Sequence, residues 1–170
     1  YYGWGITKPY GASDSVDWTL YFSSLGGTGK SLVDCGTSAD PLKDYLRDGF
    51  GGTQWDVARL EWKGDWRMPT FEELTELFSE GNCYVDWTTS NGVNGTVVTS
   101  KRNGNSIFLP AAGYRSGTYT LDSDTAGSYW STTPDTDAAH AYYSSCTSKG
   151  VDPGAGFRYR GHPIRPVMKK

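Results

Sequence analysis

A chain of 170 residues can bury its own core without metal or disulfide staples, so one domain spanning 1–170 is expected. A formal net charge of -3, with no basic run beyond Lys169-Lys170, argues against nucleic acid as a partner. No apolar stretch approaches the roughly 20 residues that cross a bilayer, so this domain is not expected to insert into a membrane.

The opening "YYGWGI" alternates aromatic and small residues and reads as a strand, and "VDWTLYF" (16–22) reads as another short one. Because the chain starts inside a strand pattern, it is expected to be a piece of a longer protein. A loop-rich segment is expected over about 11–54, with a brief helix in "PLKDYLRDGF" (41–50). In "WDVARLEW" (55–62), Trp55, Val57, Ala58 and Trp62 share a helical face, which predicts a short helix with a cap near Thr53. Thr70 followed by Glu73 is a capping box, and Leu74, Leu77 and Phe78 form the apolar stripe of a second helix that Gly81 should end.

Beyond Gly81 only strands and turns are expected. "CYVDWTT", "TVVTSK", "SIFLPAAGY", "SYWSTT", "AHAYYSSC" and "HPIRPVM" are separated by the turn clusters "SNGVNG", "RNGN" and "DPGAG". Asn103-Gly104 should close a hairpin. With 7 Trp and 12 Tyr the buried area must come largely from rings, while 22 Gly and 8 Pro suit turns between short strands. Two helices with strands on both sides and no internal repeat give an α+β domain with an antiparallel sheet.

Few of the familiar catalytic patterns survive inspection. "SLGGTGKS" (24–31) looks like a phosphate loop, but Ser24 stands where the nucleotide motif needs its first glycine, so a surface loop is expected. His140 and His162 have neither the spacing nor the cysteine partners of a zinc site, and no metal or other cofactor is expected. Asp122 and Asp124 in "LDSDTAGS" offer carboxylates to calcium, against the plainer reading of a turn whose Asp side chains bond local backbone. Cys35, Cys83 and Cys146 make an odd count that allows at most one internal disulfide. There is no GxSxG elbow.

The last third is richer. Tyr142, Tyr143, Phe157, Arg158, Tyr159, Arg160 and His162 lie among Ser, Thr, Gly and Asp, the mixture of rigid rings, arginines and small polar residues that binding surfaces use. Rings that alternate along a strand can equally fill the core beneath a sheet, so only some of them should face out.

The motifs "YYGWG", "WDVARLEWKGDWRMPTFEELTEL", "NGVNG", "NGNSIFLPAAGYR", "GSYWSTTP" and "RYRGHPIRPV" come in an order that resembles the Fibrobacter succinogenes major paralogous domain family. That family is found in surface proteins of gut Bacteroidetes, and its broader likeness is to the C-type lectin-like fold. The resemblance spans the chain apart from about 11–50. It implies two helices with a small antiparallel sheet, and the first and last strands paired so that "YYGWG" lies beside "IRPVM". It implies structural roles for Trp66 and Trp130 in the core, for Pro69 and Thr70 at the helix entry, and for the closing Arg165-Pro166-Val167. Arg67 becomes an anchor whose fork satisfies backbone carbonyls.

For function the resemblance implies a non-catalytic recognition domain, secreted or at a bacterial cell surface, that binds a protein or glycan through the face formed by about 131–162. The variable ligand-binding proteins of diversity-generating retroelements look similar, and nearly every residue of 131–167 is one that a codon ending in C encodes, Lys149 excepted. The lectin sugar signatures Glu-Pro-Asn and Trp-Asn-Asp are absent. Two alternatives stand beside this reading, a structural or tip module of a surface assembly and an enzyme of the formylglycine-generating type. The enzyme shares the Arg67-x-Pro69-Thr70 helix start, but its paired cysteines and "GNVWEW"-like segment are missing here.

Overall fold

The computed structural model describes residues 1–24, 56–137 and 139–168. The phosphate-loop candidate beyond Ser24, the helix expected at 41–50, Cys35, Trp55 and the cap expected near Thr53 lie outside the described residues.

The architecture is α+β, with small antiparallel sheets and, among the described residues, three helices where the family likeness implied two. Among the described residues no helix is long and apolar enough to cross a membrane. Helix α1 (Trp18–Ser24) replaces the strand expected at 16–22. Asp17 caps it by accepting from the Leu20 N–H at 2.9 Å, and Trp18, Tyr21 and Phe22 then fall at helical spacing on one face. Helix α2 (Val57–Trp62) is capped by Asp56. This buried carboxylate accepts from the N–H groups of Ala58 and Arg59, and from Met68 across the following turn at 3.1 Å.

Strand β1 (Trp66–Arg67) leads into α3 (Phe71–Leu77), whose capping box between Thr70 and Glu73 is present as expected. The helix stops four residues before Gly81, because the chain closes a turn from Ser79 to Cys83. Arg67 differs from its expected role. Its fork grips the Glu73 carboxylate at 2.5 and 2.6 Å and reaches only the Met68 carbonyl, so it braces the capping box.

Strands β2 (Cys83–Ser90), β3 (Val93–Ser100) and β4 (Ser106–Pro110) form one meander. Its first turn is Asn91-Gly92, both with positive φ (51° and 80°), as a two-residue hairpin requires. The second turn contains Asn103-Gly104, as expected. A short hairpin, β5 (Tyr114–Ser116) with β6 (Tyr119–Leu121), precedes the second meander of β7 (Ala126–Pro134), β8 (His140–Thr147) and β9 (Gly150–Phe157).

"DPGAG" is therefore part of β9 and not a turn. The Tyr143 ring of β8 lies across Gly154 and Gly156, where a Cβ on Gly154 would fall 2.6 Å from the ring. These glycines admit an aromatic ring.

The expected pairing of the two chain ends is also corrected. The last strand, β10 (Val167–Met168), pairs with β1. Tyr2 instead exchanges both backbone hydrogen bonds with His162, and the Trp4 N–H donates to the Arg158 carbonyl at 2.9 Å. Pro163 and Pro166 explain the difference, since neither carries an N–H with which to extend that ladder. Two apolar clusters result. Trp4, Ile6, Tyr21, Met68 and Trp130 centre the first, and Cys83, Val98, Leu109 and Tyr129 the second. Trp130 is 0% exposed as expected, whereas Trp66 is only half-buried, packing edge-on against Trp62. Arg165 is exposed and anchors nothing in the core.

Candidate functional site

The seven residues expected at a binding face divide between surface and interior. Along β8 the side chains alternate, so the adjacent Tyr142 and Tyr143 point to opposite sides. Tyr142 stacks on Phe71 of α3 at 4.8 Å, and its hydroxyl lies 3.3 Å from the Asp135 carboxylate. Tyr143 meets the edge of Trp130 at 5.9 Å and tilts over His162 at 4.8 Å.

Phe157, Tyr159 and Arg160 do come together, half-buried, at the end of β9. Phe157 stacks between His140 at 4.4 Å and Tyr159 at 5.5 Å. Trp18 of α1 supports both, 4.9 Å from Tyr159 and 6.1 Å from Phe157. The Arg160 guanidinium carbon lies 5.1 Å from the Tyr114 ring and 5.5 Å from that of Phe157. On its far side His140 pairs with Asp137 through Nδ1 at 2.9 Å.

Arg158 and His162 are corrected from surface contacts to interior supports. Arg158 is fully buried, its guanidinium 4.2 Å above Trp4 and its Nε donating to the His140 carbonyl at 2.9 Å. His162 is 1% exposed and sits among Tyr114, Trp130 and Tyr143, with Nδ1 3.3 Å from the Ser128 carbonyl. Burial pushes its imidazole down to about 3, so the ring is neutral at ordinary pH. The pairing of this segment with Tyr2 and Trp4 turns Arg158 and His162 inward and leaves Phe157 and Arg160 at the rim.

Three contributors lay outside the expected set. Trp18 was expected only as part of a strand. Tyr114 and the buried Arg115 stand in the "AAGYR" motif, which is distinctive for its place in the motif order and not for its chemistry. Arg115 fills the role expected of Arg67, its fork donating to the carbonyls of Gly11, Ala12 and Asp14. Its backbone exchanges hydrogen bonds with Gly161, so one residue ties the early loop to the floor of the aromatic face.

The other candidate chemistries gain little from the geometry. Asp122 and Asp124 are exposed, with positive φ (56° and 62°), and the Asp122 carbonyl accepts from Thr125 and Ala126 in the turn before β7. Among the described residues no three His, Cys, Asp or Glu side chains gather as metal ligands would. Cys83 and Cys146 are buried free thiols, and burial pushes that of Cys146 up to about 12, so it is protonated and out of reach of a substrate. No protein-family model, curated protein or solved structure matches the chain.

Proposed function

We propose that the chain is a non-catalytic recognition domain of a secreted or cell-surface bacterial protein, lectin-like in fold, that binds a protein or glycan through the face carrying Phe157, Tyr159 and Arg160. The observation that carries this reading is the ring cluster itself. Trp18, Phe157 and Tyr159 pack on one another and Tyr114 and Tyr143 pack on the buried His162, all five staying partly open to solvent, and the Arg160 guanidinium rests near the Tyr114 and Phe157 rings. Rigid rings lose little entropy on binding, and arginine supplies direction. The motif resemblance to the Fibrobacter succinogenes major paralogous domain family supports the lectin-like assignment and the surface location, and with them the kinship to retroelement-diversified proteins. The protonated, enclosed Cys146 weighs against an enzyme of the formylglycine-generating type.

Alanine at Phe157, Tyr159 or Arg160 is expected to weaken binding to a hit from glycan and extracellular-protein arrays by tenfold or more, at about 1.4 kcal/mol per tenfold. The melting temperature should move by only a few degrees. Unaltered binding by all three variants sinks the proposal. Running the arrays with and without a chelator also tests Asp122 and Asp124, because calcium-dependent binding would disappear with the metal.

A second reading, a structural module of a surface assembly, is favoured by one feature. β2 is an eight-residue edge strand without proline. The two-residue turn fixes its hydrogen-bond alternation, so Val85, Trp87 and Thr89 turn their backbone N–H and C=O groups away from β3. In the second meander, by contrast, the edge strand β9 places Pro153 among the outward positions. Assembly through β2 predicts self-association in analytical ultracentrifugation that Trp87→Pro removes. A monomer at every concentration discards this reading.

A further inference from the structure

Resting on the recognition face of Phe157, Tyr159 and Arg160, the geometry points to a carboxylate-bearing sugar as its ligand, gripped by the Arg160 guanidinium and met by the hydroxyls of Tyr114 and Tyr143. The arginine comes first. Arg67 is committed to Glu73, Arg115 to three carbonyls, and Arg158 to the His140 carbonyl and the Trp4 ring. Arg160 is held differently, by rings alone. Among the described residues no carboxylate or carbonyl meets its fork. Its Nε is enclosed and has no hydrogen-bond partner, while the residue as a whole is half-buried, so the open part is the Nη end. A guanidinium stripped of water on its ring-facing side, with its fork turned outward, is preorganised for a planar anion.

The hydroxyls come second. Tyr114 stacks on His162 at 5.3 Å and 10°, and Tyr143 tilts over the same imidazole at 4.8 Å, so the two phenols stand around one buried ring. Among the described residues neither phenol oxygen has a hydrogen-bond partner, and neither is an enclosed atom. Burial raises the Tyr143 phenol and the Arg160 charge lowers it, while the guanidinium itself lies 5.1 Å from the Tyr114 ring. The acids nearby do not neutralise the arginine. Asp137 is engaged by His140, and Asp122 is exposed, where solvent screens it.

One fork and two unpartnered hydroxyls therefore share a single patch. A sugar acid supplies matching groups, a carboxylate for the fork and ring hydroxyls for the phenols. An Asp or Glu side chain of a protein would satisfy the arginine and leave both phenols idle.

The test titrates the purified chain by calorimetry with oligosaccharides ending in glucuronic acid or N-acetylneuraminic acid, with the methyl esters of the same sugars, and with a polyglutamate peptide. The acids should bind about tenfold or more tightly than their esters, the range of one charge-assisted bidentate contact. Arg160→Lys should lose most of that difference, since an ammonium lacks the planar fork, and Tyr114→Phe and Tyr143→Phe should each lose about threefold to tenfold. Near-ultraviolet circular dichroism checks that each variant keeps its packing. Equal affinity for acid and ester overturns the inference, as does full binding by Arg160→Lys, binding of polyglutamate alone, or no binding of either acid. If a neutral glycan or a protein binds and is lost with Phe157→Ala while Arg160→Lys is silent, the recognition face stands and only the carboxylate assignment falls.

Discussion

Gly113→Ala is expected to destabilise the domain by more than about 3 kcal/mol, lowering the melting temperature by roughly 10 °C or preventing folding. Two separate causes meet at this residue. Its φ of +65° alone costs an alanine about 1–2 kcal/mol. The larger cause is space, since a Cβ would fall 2.0 Å from the Leu121 carbonyl oxygen and 2.7 Å from the Ser123 nitrogen, both of them backbone atoms that cannot swing aside. Gly113 also donates to the Ala126 carbonyl at 2.7 Å and bridges to Gly127, whose own Cβ would press on the Pro110 carbonyl at 2.7 Å. Gly117→Ala is the control, because its φ of +57° is similar but nothing lies within 4 Å of its Cβ. Chemical denaturation should find the control about 1 kcal/mol less stable than the parent and Gly113→Ala far below both. Equal losses would show that close backbone approach contributes nothing.

Acid is the second large effect. His162 titrates at about 3 in the folded chain and near 6.5 when unfolded. Between those values the unfolded state holds the extra proton, so stability from this residue is complete above about pH 6.5 and falls as pH drops, by up to about 1.4 kcal/mol per unit, until about pH 3. His162→Phe keeps a ring between Tyr114 and Trp130 but gives up the contact with the Ser128 carbonyl, at a cost near 1 kcal/mol at pH 7. The variant should lack the steep acid limb, so the two stability curves cross between about pH 5 and 6. Comparing parent with variant cancels the other acids. Glu73, held down by Arg67, loses its own contribution only at lower pH, and Asp56, raised by burial, acts in the opposite sense. Parallel curves from pH 7 to 4 would mean that the imidazole is not desolvated as described.

The features legible in the sequence were those whose causes lie within a few residues. Thr70 with Glu73 spelled out a capping box and Asn103-Gly104 spelled out a hairpin turn, because the required conformations belong to those residues themselves, while of the turn cluster "SNGVNG" only Asn91-Gly92 turns and 93–95 open β3. α1 was missed because Trp, Tyr and Phe suit strands, while its cap is one hydrogen bond that the Asp17 carboxylate accepts from the Leu20 N–H. "DPGAG" was missed because its glycines answer to Tyr143 on the next strand. The candidate face was half legible for a similar reason. Composition marked the right segment, but which of Arg158 and Arg160 turns inward depends on backbone pairing with Tyr2 and Trp4, over 150 residues away in the chain. The expected anchor at Arg67 failed in the same way, since a motif can mark an arginine without saying whether Glu73 or a distant carbonyl receives it.

The union of Tyr2 and Trp4 with the 158–162 segment also sets a timetable during synthesis. At about 5–20 residues per second, a ribosome takes roughly 8 to 30 s to pass from Tyr2 to His162. Throughout that interval Trp4, wholly enclosed in the finished domain, has neither its Arg158 backbone partner nor the Ser131 carbonyl that later receives its indole N–H. The meander of β2, β3 and β4, closed by local turns, can form long before, so Tyr2 and Trp4, made earlier, are housed later. A nascent domain of this design leaves Trp4 and its neighbours open to aggregation and to chaperones until the 158–162 segment has been made.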